Sequence, residues 1–165
     1  MMNTNGFSSP LDATDCKVAK ACWFQPPGCA LLQGPLVNVS RCYSMLKWSS
    51  TDQTLDLQLQ TDLTDKKLSN PNLGKYVAVG FSRDTFMGED TVVECVAKPN
   101  GKVEAHVSWN DGTFNYRLAQ ATEVLLRNVH GAVVDKKLVC SVSWYYKGLD
   151  EVEKSVKDKF EVQVC

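Results

Sequence analysis

The sequence predicts an all-β fold: a two-sheet antiparallel β-sandwich, immunoglobulin-like, with a disulfide-rich N-terminal segment. Three observations predict it. Short runs of alternating apolar and polar residues recur from residue 43 onward, the period of a strand with one buried face. Gly, Pro, Asn and Asp clusters separate them roughly every 8–12 residues, as in sandwiches. Seven cysteines, four of them among the first 42 residues, supply the staples.

A chain of 165 residues builds one core and buries roughly 70% of its unfolded surface. Residues 1–14 are polar and read as a disordered tail, and residues 15–165 as a single domain. Net charge is −1 with no basic block, so a nucleic-acid partner has no electrostatic support. No run approaches the roughly 18 apolar residues that read as a membrane span. The first ten residues show neither the basic nor the apolar region of a signal peptide. We therefore read the chain as partial or processed.

The elements follow in order. Residues 16–42 contain Pro26-Pro27-Gly28, Gly34-Pro35 and four cysteines, which marks a loop-rich segment held by bridges. Cys16, Cys22, Cys29 and Cys42 lack zinc-knuckle spacing and have no histidine near them, so disulfides are the better reading and an extracellular or lumenal compartment follows. Asn38-Val39-Ser40 is a glycosylation sequon that agrees with secretion. Residues 43–49 alternate, with Cys42, Ser44, Leu46 and Trp48 on one face. Leu55, Leu57 and Leu59 alternate with Asp56, Gln58 and Gln60, the clearest half-buried strand. Residues 61–74 make a long polar loop.

Residues 75–95 organise the rest. Residues 76–81 are apolar, short, and rich in β-branched and aromatic types, and they read as a central strand buried on both faces. Gly80 in that run lets a backbone or a flat ligand approach closely. Residues 86–90 form a turn showing Met87 beside Glu89 and Asp90, and residues 91–96 return as a strand. Pro99-Asn100-Gly101 is a hairpin turn. After it Val103, Ala105, Val107 and Trp109 face inward, with Glu104, His106 and Ser108 outward. Asn110-Asp111-Gly112 turns again. Residues 123–129 and 136–145 read as strands around a turn at 128–132, and Leu138, Cys140, Val142 and Trp144 share a face. Residues 148–159 are loop or short helix, and 160–165 alternate once more. The count is eight or nine strands with under about 15% helix. Cys95 and Cys140 sit on inward faces and are expected to be close or bonded. The four N-terminal cysteines are expected to pair among themselves, leaving Cys165 unpaired.

Each candidate functional residue has a plainer reading. Met87 is either a ligand or an adaptable turn filler. His106 on a polar strand face is most simply solvated, and His130 before Gly131 is a turn residue. Asp84, Glu89 and Asp90 suit a hard cation or a turn that accepts backbone N–H bonds. No nucleophile elbow, phosphate loop or HExxH motif is present, so no catalytic constellation is visible.

The apolar strand, the Met87-Gly88 turn and the strand ending at Cys95 together resemble the signature of the DOMON domain. The version most similar is that of ferric-chelate reductases and stromal-cell-derived-receptor-like proteins. Asp15-Cys16, Cys22, Pro27-Gly28-Cys29 and Cys42 before it, and residues 113–118 after it, extend the resemblance over residues 15–146. It implies an extracellular or lumenal sandwich in a family whose better-known members hold haem b between a methionine and a histidine and relay electrons. Met87 stands where the axial methionine stands, with Gly80, Phe81 and Phe86 as cofactor neighbours. A thioether opposite imidazole raises the iron potential. The family's second ligand lies on a late strand, whereas no histidine follows His130 in this sequence.

Two readings follow: a haem-binding electron-transfer module, at most part of a ferric-chelate-reductase-like system, or a haem-free domain that recognises a membrane receptor or other extracellular protein. Carbohydrate binding is a weaker third.

Overall fold

The computed structural model describes residues 7–33, 36–64, 74–86 and 88–145. Its strands are β1 (Ala21–Gln25), β2 (Leu31–Gln33), β3 (Leu36–Asn38), β4 (Ser44–Ser50), β5 (Leu55–Asp62), β6 (Lys75–Phe81), β7 (Asp90–Ala97), β8 (Val103–Asp111), β9 (Phe114–Arg117), β10 (Leu126–Val134) and β11 (Lys137–Trp144). One short helix, α1 (Ala119–Leu125), joins β9 to β10. A five-stranded sheet, β1-β4-β5-β11-β10, faces a four-stranded sheet, β6-β7-β8-β9, while β2 and β3 pair with each other. All pairings between these strands are antiparallel. The expected sandwich is thus observed.

The core lies between the sheets, where the alternation places it. Leu57 and Leu59 from β5, and Cys140, Val142 and Trp144 from β11, meet Val93 and Cys95 from β7 and Val107 from β8. The Cys95–Cys140 disulfide ties the two sheets through this core, with a Cα–Cα distance of 6.3 Å. Cys16–Cys22 and Cys29–Cys42 close the N-terminal loops, as expected of four cysteines pairing among themselves. Cys165 lies outside the described residues, as do residues 146–164.

Five expectations change. β6 is an edge strand: among the described residues only β7 pairs with it, and exposed Tyr76, Ala78 and Gly80 alternate with half-buried Val77, Val79 and Phe81. An apolar run whose alternate members are Tyr, Ala and Gly tolerates water on that face, and run length alone does not reveal this. The doubly buried strand is β7, buried at every position except Val96 and flanked by β6 and β8.

Residues 119–125 are helical, so the strand expected over 123–129 begins only at Leu126. Ala121 and Leu125, four apart, drive one face of α1 into the core, and the Thr122 hydroxyl donates to the Leu118 carbonyl at 2.8 Å while accepting the Val107 N–H at 2.8 Å. The β10–β11 turn falls at Asp135 and Lys136, both at positive φ, and Asn128 marks a register shift inside β10. His130 therefore sits in a strand, opposite Ser141. The strand count is eleven among the described residues, two more than the upper expectation, because the short β2 and β3 add to it.

The N-terminal segment covers the outer face of the larger sheet. Ala13, Cys16 and Met45 form a second buried cluster with Leu11, Phe24 and Val37 around it. The Leu11 N–H donates to Gln60 Oε1 at 2.7 Å. Residues 11–13, assigned by composition to a tail, are packed against β4 and β5.

Candidate functional site

Three places gather the chemistry-bearing residues. The first is the end of the smaller sheet where the residue 82–90 turn meets the β8–β9 hairpin. Asp84 Oδ1 accepts the Phe86 N–H at 2.8 Å, and Asp90 Oδ2 accepts the Gly88 N–H at 3.1 Å. The Gly88 donor, followed by the Ser82 and Asn110 side chains, holds the Asp90 carboxyl below its usual range. These acids therefore serve the turn backbone, and among the described residues no cluster of three metal-ligating side chains exists. Gly88 is at φ 125°, and a Cβ there would lie 3.1 Å from the Gly112 nitrogen. Only glycine permits this contact. It brings two turns together; Phe86 in the first is 78% exposed, and Phe114, which opens β9 after the second, is 67% exposed. Met87 lies outside the described residues.

The other expected cofactor neighbours separate. Phe81 turns into the core against Trp144, whereas Gly80 faces outward on β6. Neither histidine approaches the turn at Gly88. His106 lies six residues along β8 from Gly112, roughly 20 Å at strand rise. His130 precedes Gly131, which packs on Val103 at the far end of β8. The described residues thus do not fit a methionine–histidine haem site at this turn.

The second place is the outer face of the smaller sheet. Glu94, buried in β7, accepts from Arg117 Nε at 2.6 Å. His106 pairs with Glu94 in register, and its Nε2 lies 3.6 Å from Glu104. It is only partly solvated, and burial first, then the Arg117 charge, lowers its pKa. Lys98 and Lys102 hold the Glu104 carboxyl down to about 2. A hollow of about 790 Å³ lies over Ala78, Gly80, Val92 and Glu94. Sequence reading passed over this ion pair, although a lone acid inside Val92-Val93-Glu94-Cys95-Val96 asks for a partner.

The third place is a cleft of about 480 Å³ between β6 and the inner face of β1 and β4, lined by Trp23, Leu46, Val77 and Val79 among others. Asn38 ends β3, with its Oδ1 accepting the Ser40 N–H at 3.0 Å.

No family model matches the chain, and no solved structure matches it. Curated relatives do. The DOMON domain-containing protein FRRS1L of Homo sapiens is 26% identical over 150 residues, covering 80% of this chain and 44% of the relative. The putative ferric-chelate reductase 1 of Danio rerio is 28% identical over 121 residues, 72% of this chain and 19% of the relative. FRRS1L of Mus musculus is 32% identical over 99 residues, 59% of this chain and 28% of the relative. The chain spans less than half the length of each.

Proposed function

We propose that this chain, a homologue of DOMON-domain proteins of the ferric-chelate-reductase-like group, works by recognition: a haem-free extracellular or lumenal sandwich that binds another extracellular or membrane-bound protein. One observation carries the reading. Where Gly88 meets Gly112, Phe86 stands exposed in the first turn and Phe114 stands exposed at the start of β9 beside the second, and neither histidine is near. Aromatic residues, phenylalanine among them, are enriched in the buried centres of protein interfaces. Asp84 and Glu89 lie in the first turn and Asp111 ends β8 beside the second, which favours a partner surface with an apolar pocket rimmed by basic groups. Three disulfides among the described residues fit an oxidising compartment, and no described helix is long and apolar enough to cross a membrane.

Haemin titration followed by absorption, on wild type and Met87→Ala, tests this. The recognition reading expects no saturable Soret band in either. A band that saturates in wild type and disappears in the variant overturns it. A benzophenone side chain at position 114 should give a discrete adduct with a cell-surface protein, and the unlabelled Phe86→Ala/Phe114→Ala protein should fail to compete.

A further inference from the structure

We infer that the open edge of β6 is a strand-accepting site, taking an extended segment of a partner protein whose alternate side chains are apolar. The inference rests on the recognition reading and gives that reading a second contact surface.

Four observations carry it. Among the described residues β6 pairs with β7 alone, and none of them pairs with the backbone donors and acceptors of its other edge, a template for another strand. The sheets also differ in width. β6 faces β5 and β8 faces β10, so β4 and β1 extend past β6 with nothing from the smaller sheet above them. That overhang is the floor of the 480 Å³ cleft, where Trp23 and Leu46, opposite one another in the β1–β4 register, meet Val77 and Val79. A strand beside β6 would sit about 4.8 Å away, above this floor.

The edge also lacks guards. Natural edges carry prolines or inward charges, whereas residues 76–81 have neither. Lys75 directs its Nζ to the Leu63 carbonyl at 2.7 Å. Finally, Gln25 lines the cleft, and its Oε1 is buried without a hydrogen-bond partner. That oxygen has almost no accessible surface, so it would receive an N–H of an incoming segment only after the Gln25 side chain turned toward the cleft.

The occupant is a lone segment and not a second sandwich. Antiparallel β6–β6 pairing of two copies would bring both overhanging sheets into the same space. The segment's side chains over Trp23 and Leu46 are of Val, Ile or Leu type, those facing water are polar, and no proline occupies the pairing positions.

The test uses the full chain and a synthetic peptide of about ten residues alternating valine and threonine between lysine ends. Amide exchange at Val77–Phe81 should slow at least tenfold on peptide addition, with saturable binding. N-methylation along the peptide's pairing edge should abolish binding, and methylation along the opposite edge should preserve it. Trp23→Lys, at a position 56% exposed, and Leu46→Ala should each weaken it at least tenfold. Equal binding by both methylated forms, no exchange slowing, β6 edge amides already protected without peptide, or dimerisation through β6 would overturn the inference. The recognition reading stands or falls separately, on the haemin titration.

Discussion

Phe81 and Trp144 meet across the two sheets with ring centroids 4.3 Å apart and planes inclined by 43°. Trp144 is 2% exposed, so Phe81 closes the core over it and is committed to packing. Its apolar character suited a cofactor wall equally well on sequence alone; in the fold its ring packs on Trp144.

Phe81→Ala should therefore destabilise by about 3 kcal/mol, the low end for a large aromatic truncated in a core because Phe81 is half-buried. Urea unfolding should show a lower midpoint with an unchanged slope, and Trp144 emission should shift to the red. Unchanged stability would place Phe81 outside the core.

The inter-sheet bridge closes the longest loop of the three, with a separation of 45 residues against 6 for Cys16–Cys22. On loop entropy its loss should cost about 4 kcal/mol and loss of the shorter bridge about 2. The expected outcome is that Cys95→Ala/Cys140→Ala lowers the urea midpoint more than Cys16→Ala/Cys22→Ala. Non-reducing peptide mapping should recover all three bridges from protein produced through an oxidising compartment.

Much of this framework was legible in advance because period and cysteine position are local. Leu55, Leu57 and Leu59, or Leu138, Cys140 and Val142, announce their faces by alternation alone. What escaped depends on what packs against a strand from outside it. Lys47 lies on the face of β4 opposite Leu46 and Trp48, and the N-terminal segment folds over it and leaves it 4% exposed. Residues 119–125 carry valine and leucine at spacings that either a strand or a helix accepts, and burial of Ala121 with Leu125 favoured the helix. At the site, the glycine contact between Gly88 and Gly112 joins loops far apart in sequence, which no local pattern reveals.

Lys47 Nζ pairs with Asp15 and donates to the Asp12 carbonyl at 2.9 Å. The lysine holds the Asp15 carboxyl below its ordinary 3.8. A depressed folded pKa gives stability that is complete above that value and lost as pH falls through the folded one. Asp15→Ala, which strands a buried ammonium, should cost about 2 kcal/mol, reduced from a fully buried pair because Asp15 is partly exposed. Lys47→Met, beside Met45, should cost less and should flatten the stability loss below pH 4. Stability curves against pH for both variants check this; parallel acid limbs in wild type and Lys47→Met would count against the pair.

Gly131 and Val103 set how closely β10 approaches β8. A Cβ on Gly131 would meet the Val103 side chain, 2.7 Å from its Cβ and nearer still to Cγ1. Cβ belongs to the backbone frame and does not swing aside, so the overlap must be relieved by moving a strand. Gly131→Ala should therefore destabilise by about 1–3 kcal/mol, the usual range for overpacking. The ordinary gain from restricting a glycine in the unfolded chain, about 0.4–1 kcal/mol, works the other way and sets the lower end. Val103→Ala alone should cost about 1 kcal/mol through the lost methyls of a half-buried side chain. Alanine at 103 removes the Cγ1 overlap and keeps the Cβ one, so the double variant should be more stable than the sum of the singles predicts by only about 0.5 kcal/mol in a thermodynamic cycle. Additive costs would mean that β10 is positioned by its pairing with β11 and not by the valine beneath it.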